Sequence, residues 1–199
     1  MGLFDKLFGR NNSAGNGSDP VKTDQLLDEN IYWQLIHASL KKTDQDEQEE
    51  YLVSKIEQLT PVEIVGFRLQ TDKFLYDTYT SDMWCAAYLM NGGCSDDGFE
   101  YFRCWLISRG KDIFYKAKEN PDSLIRALDE EMDEYEFEGF WQVAVTAFEN
   151  KTGKDLYDFI GDNFKFGEGD YKSIDVTWKE EDPQTMKAIC PKLFDRMWK

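Results

Sequence analysis

The chain has 199 residues, 41% hydrophobic and 15% aromatic, with a formal net charge of −16. That much apolar surface builds one packed domain and excludes a disordered chain. The negative field repels phosphates and no basic stripe offsets it, which excludes nucleic acid as a partner and leaves a solvated acidic surface or a basic protein partner.

In chain order, residues 1–10 place Leu3, Phe4, Leu7 and Phe8 on one side of a short helix, with Lys6 and Arg10 beside them. The segment is too short to span a bilayer, and Lys6 stands where an N-myristoylation signal wants Ser or Thr. It reads as a weak peripheral membrane contact or as an amphipathic start that docks on its own domain or on a partner. Residues 11–20, rich in Asn, Gly and Ser, read as a flexible tether, so residues 1–20 precede a single helical domain over 21–199.

A first helix is expected through Ile31, Tyr32, Leu35, Ile36 and Ser39, with Trp33, His37 and Leu40 on an adjoining face. A second spans 46–60, with Tyr51, Leu52, Ile56 and Leu59 as its apolar positions. Thr60, Pro61 and Glu63 form a capping box that opens a third helix, running through Ile64, Phe67, Leu75 and Tyr76 to about residue 79. Ser81 and Asp82 are expected to cap a fourth, which puts Trp84, Ala87, Tyr88 and Asn91 on one face. Gly92 and Gly93 permit a left-handed exit, and Ser95 with Asp96 and Asp97 opens a fifth helix that ends at Gly110.

Residues 111–118 form another short helix, Asn120 and Pro121 restart one through Leu124, Ile125 and Leu128, and residues 139–151 carry Phe140, Val143, Ala144, Ala147 and Phe148 at helical spacing. From about residue 161 the tail is less regular. Gly167, Gly169, Tyr171, Ile174, Val176 and Trp178 suit a short β-hairpin or an extended arm, followed by a helical piece near 192–198. The fold class is mainly α: a compact multi-helix domain of antiparallel helix pairs, with a repeat-like helical stack left open.

Cys85, Cys94, Cys104 and Cys190 show no disulfide framework, and no secretory segment precedes them, which points to a reduced, cytoplasmic protein. Their spacing, with His37 as the single histidine, lacks a zinc pattern. No metal or cofactor is assigned, since calcium-loop, phosphate-loop and dinucleotide signatures are all missing. Cys94 beside the double glycine is a place where a thiolate could be stabilised, with His37 as its base, but nothing in the sequence brings the two together.

The densest charge is the run Asp129, Glu130, Glu131, Asp133, Glu134 and Glu136, interleaved with Met132, Tyr135 and Phe137. It reads either as a surface for a basic partner, with charge speeding encounter and the apolar residues supplying affinity, or as a solvated loop. Asp96, Asp97, Glu100, Arg103 and Arg109 read either as paired carboxylates with an arginine clamp for an anionic substrate or as helix capping plus an ordinary Glu100–Arg103 surface pair. Trp84, Tyr88, Tyr101, Phe102, Trp105 and Trp141 are read as core rings.

Trp84, Ala86-Ala87-Tyr88, Gly92-Gly93-Cys94-Ser95-Asp96-Asp97, Phe99, Phe102-Arg103, Trp105-Leu106 and Gly110 together resemble the signature of domain-of-unknown-function family 4240. Tyr32-Trp33-Gln34-Leu35-Ile36, and Leu59 with Glu63-Ile64-Val65 and Phe67, extend the likeness to roughly residues 28–150. The resemblance implies a bacterial, intracellular, largely helical domain and points to the region 91–109, but supplies no reaction, cofactor or ligand. The leading expectation is therefore a non-catalytic interaction module of immunity or regulatory type with no catalytic residues. The alternative is an enzyme or ligand binder using Trp84, Tyr88, Asn91, Asp96, Asp97, Arg103 and Arg109.

Overall fold

The computed structural model describes residues 20–129 and 131–198; the expected amphipathic start, all of the tether but its last residue, and Glu130 of the acidic run lie outside them. Among the described residues there are nine α-helices, the first six and the last two joined by short turns, the seventh and eighth reached through longer stretches with 3₁₀ turns, and no strand longer than an isolated bridge. The mainly α reading holds. None of these helices is long and apolar enough to cross a membrane.

Helix α1 (Glu29–Ser39) starts where Asp28 accepts hydrogen bonds from the Asn30 and Ile31 amides, and it buries Tyr32, Trp33, Leu35 and Ile36. Helix α2 (Gln45–Ile56) is capped by Asp44 and ends before the expected residue 60, because Leu59 turns back onto the Ile56 carbonyl and Thr60 starts the next cap. The capping box is present in full: Thr60 accepts from the Glu63 amide, Glu63 accepts from the Thr60 amide, and Pro61 opens α3 (Pro61–Asp77).

Helix α3 is the centre of the core. Buried from Ile64 to Leu75 but for Lys73, it packs Phe67 against the Tyr32 ring (4.5 Å between centroids) and Phe74 against Trp33 (4.8 Å). Its buried cation, Arg68, pairs with Asp72 at 2.9 Å, lies 3.8 Å over the Trp141 ring, and donates to the Trp141 carbonyl and the Tyr157 hydroxyl. Burial works against that charge, but Asp72 outweighs it and the Arg68 pKa is raised. Gly66 admits the extended segment before α1, whose Leu27 amide donates to the Gly66 carbonyl at 2.9 Å.

Helix α4 (Ser81–Asn91) is capped one residue earlier than expected. Thr80 has the extended backbone of an N-cap and accepts from the Met83 amide, so Ser81 is already helical. Gly92 takes the left-handed conformation at φ 66°, which favours glycine, and Ser95 caps α5 (Asp96–Ser108) through the Gly98 amide. Helix α6 (Lys111–Glu119) follows.

Two expected helices are shorter than their patterns suggest. Residues Pro121–Arg126 form a 3₁₀ turn rather than an α-helix, and a second 3₁₀ turn, Glu138–Gln142, leads into α7 (Val143–Thr152). In the tail the extended arm is realised and the hairpin is not, because the arm is anchored by rings rather than by a ladder. Tyr171 stacks on Tyr79 at 4.5 Å, and Trp178 packs 5.0 Å from Tyr88 while its indole N–H donates to the Ser81 carbonyl. Helix α8 (Pro183–Ile189) was not anticipated; α9 (Pro191–Met197) was. Asp122 accepts from the Lys192 and Leu193 amides at 2.8 and 3.0 Å, capping α9 from outside its own chain segment.

Candidate functional site

The acidic run is a loop with a fixed base. Tyr135 is 3% exposed, sits edge-on to Trp105 at 5.1 Å, and donates its amide to Asn91 Oδ1 at 2.8 Å. Its hydroxyl accepts from the Asp129 amide and donates to the Asp129 carbonyl. Gln45 Nε2 donates to the Glu136 carbonyl at 2.8 Å, and the Phe137 amide to the Tyr101 carbonyl. Tyr135 and Phe137 are therefore core residues and are not offered to a partner, contrary to the sequence reading; of the three interleaved apolar residues only Met132 is partly exposed.

With its ends held, the loop leaves Asp129, Glu131, Asp133 and Glu134 exposed. Glu136 instead lies over the start of α5, its Oε1 so close to Gly98 that a Cβ there would meet it at 2.9 Å. Burial, then the charge of Glu134, raises its pKa.

Two cavities of about 420 Å³ each flank this loop, and Asp129, Met132 and Asp133 line both. The first lies toward the α1–α2 turn and adds Lys42, Asp44, Gln48, Glu131, Glu134 and Arg109. The second is more apolar, with Met90, Leu128 and Met197 beside Arg196.

Gln48 shapes the floor of the first cavity. It is 3% exposed, donates to Ser39 Oγ at 2.8 Å and to the Ser108 carbonyl at 3.1 Å, and accepts from Arg109 Nη2 at 2.6 Å. Burial lowers the Arg109 pKa, though a guanidinium remains charged at neutral pH.

The remaining expected site residues do not gather in these cavities. Trp84 stacks on Phe99 at 4.8 Å and donates to the Cys94 carbonyl, Tyr88 faces Trp178, and Asn91 holds Tyr135. Asp96 and Asp97 stand exposed in the first turn of α5. Arg103, 1% exposed, turns inward: it donates to the Leu75 carbonyl at 2.7 Å and to the Tyr171 hydroxyl at 3.2 Å, amid the rings of Phe99, Tyr79 and Tyr171. Its guanidinium is buried among these partners and does not lie on the surface.

Cys94 does not fit a nucleophile. Burial, reinforced by the charge of Glu136, pushes its thiol up to about 12, and the thiol donates to the Ser95 carbonyl. His37 is exposed on α1 and no hydrogen bond joins it to Cys94. Among the described residues no group of three or more His, Cys, Asp or Glu is arranged to hold a metal ion.

Sequence reasoning missed the α1–α2 turn, Gln48 and the methionines Met90 and Met197 as neighbours of the acidic run. One signal was available: Gln48 lies on the Leu52–Ile56 face of an otherwise acidic helix, a position where a polar residue has to be hydrogen-bonded.

A sequence model of a protein family, described as "Protein of unknown function (DUF4240)", matches residues 27–150. No curated protein and no solved structure gives a significant match.

Proposed function

We propose that this chain, which belongs to the DUF4240 family, is a non-catalytic interaction module of immunity or regulatory type that engages a basic protein partner in the cytoplasm through the loop from Asp129 to Glu136. The observation that supports this reading most is the combination of exposed Asp129, Glu131, Asp133 and Glu134 with a base tied down by Tyr135, Asn91 and Gln45. A charged surface that is already ordered loses little conformational entropy on binding and steers an oppositely charged partner by long-range attraction. Partly buried Met132 and Met197 give the same surface adaptable apolar contact beside the carboxylates.

The alternative of an enzyme or ligand site has weaker support, since Arg103 is committed to the core and Asp96 and Asp97 share neither cavity. The reading is tested by capture from a native lysate at low and high salt, with wild type beside a variant carrying Asp129→Asn, Glu131→Gln, Asp133→Asn and Glu134→Gln. A basic protein retained by wild type at low salt, released at high salt and not retained by the variant is the expected result. Equal capture by both proteins contradicts it.

A further inference from the structure

Arg109 enters the first cavity as a cation with no ion-pair partner among the described residues. Its Nε donates to Ser108 Oγ at 3.1 Å, and its Nη2 donates to Ser108 Oγ at 3.0 Å and to Gln48 Oε1 at 2.6 Å. A guanidinium has five N–H groups, and the two on Nη1 meet no described acceptor. Burial lowers its pKa, and Lys42 lines the same cavity with five carboxylates, those of Asp44, Asp129, Glu131, Asp133 and Glu134. The acids ring the cavity without neutralising the cation at its floor.

That arrangement selects its ligand. A simple anion drawn to Arg109 and Lys42 would still have to sit among five carboxylates, whereas a simple cation would leave the guanidinium unpaired. The complement is a carboxylate flanked by positive charges. A volume of about 420 Å³ is enough for one terminal residue, and the residues before it would lie along the loop that separates this cavity from the second.

We propose that the Arg109 cavity receives the free C-terminal carboxylate of the partner's basic tail, with Lys or Arg side chains of that tail on the acidic loop. This rests on the reading of the loop as the docking surface for a basic partner and names the part of the partner that it takes. Arg supplies charge-assisted hydrogen bonds to the carboxylate, and the exposed acids bind the side chains that precede it.

The test is isothermal titration of the full chain at low salt with acetyl-Gly-Lys-Leu-Lys-Arg bearing a free C-terminus and with the corresponding C-terminal amide. Charge alone favours the amide, which is more positive. The expected result is the reverse, with the free acid binding about tenfold tighter. Arg109→Gln, its fold checked by circular dichroism, brings the acid down to the level of the amide; should that variant fail to fold, the acid–amide comparison on the wild-type chain decides alone. Free L-arginine and inorganic phosphate are expected to bind at least tenfold more weakly than the acid peptide.

If the amide binds as well as the acid, and both depend on Asp129, Glu131, Asp133 and Glu134, the C-terminal assignment is overturned while the basic-partner reading survives. No binding of either peptide overturns the assignment too. L-arginine or phosphate binding as tightly as the acid peptide overturns it in favour of a small-molecule or simple-anion site.

Discussion

Tyr135 and Asp129 exchange two hydrogen bonds across the acidic loop: the Asp129 amide donates to the Tyr135 hydroxyl at 3.0 Å, and that hydroxyl donates to the Asp129 carbonyl at 2.9 Å. One phenol oxygen thereby does for the loop what a two-residue β-bridge would do, while its ring stays in the core against Trp105. Tyr135→Phe keeps the ring and removes both bonds. A loss of about 1 kcal/mol in urea unfolding is expected, together with faster hydrogen exchange at the Asp129 amide. Unchanged exchange there would show that the hydroxyl does not hold the loop.

Gly66 offers a test by sign. Replacing a helix-interior glycine with alanine ordinarily stabilises a protein by about 1 kcal/mol. Here an added Cβ would meet the Gln25 carbonyl oxygen and the Leu27 nitrogen, each at 2.9 Å, and both are backbone atoms tied to α3 by the Leu27–Gly66 hydrogen bond. Gly66→Ala is therefore expected to destabilise by about 1–3 kcal/mol through overpacking. A thermal melt that moves upward contradicts the close crossing.

Asp122 is 3% exposed and satisfies two amides at the start of α9. Asp122→Ala leaves those donors without an acceptor, at a cost of about 1–2 kcal/mol. The loss should be local. Limited proteolysis is expected to open sites between Cys190 and Trp198 before the rest of the chain is cut, and a variant cut no faster there than wild type argues against the cap.

Cys94 sets a pH dependence. Its ordinary value of 9.0 is pushed up to about 12, by burial first and then by Glu136, so between those two values an unfolded chain gives up a proton that the native chain keeps. The contribution to stability is complete below pH 9 and falls as pH rises from there toward 12. At pH 8, iodoacetamide should label native Cys94 more than tenfold more slowly than the urea-unfolded chain, since the thiolate is the reactive form. Labelling at the unfolded rate would contradict the raised value.

Local signals were legible wherever the chain's own side chains meet its own backbone. The Thr60–Glu63 box, the Gly92 exit and the Ser95 cap are all formed by residues within a few positions of each other, and each occurs as read. Legibility failed where a distant segment decided the outcome. Arg103 looks like the surface partner of Glu100 until the carbonyl of Leu75 and the hydroxyl of Tyr171, 28 and 68 residues away, draw it inward. Tyr135 and Phe137 sit in a run whose composition is that of a solvated loop, and only the rings of Trp105 and Phe140 explain their burial. Arg109 was singled out as a candidate, but the cavity that gives it meaning is closed by the α1–α2 turn, which carries no motif.

The family segment ends at residue 150, yet three of its seams are sealed from beyond that point. Tyr171 covers Arg103, Trp178 covers Tyr88, and the first amides of α9 occupy Asp122. A recombination event that transplanted residues 27–150 alone would carry a buried guanidinium newly open to water and a carboxylate with nothing to cap. The packed unit in this chain is therefore larger than the matched stretch, and residues 27–150 cut out of it would need the C-terminal wrapping or a substitute for it.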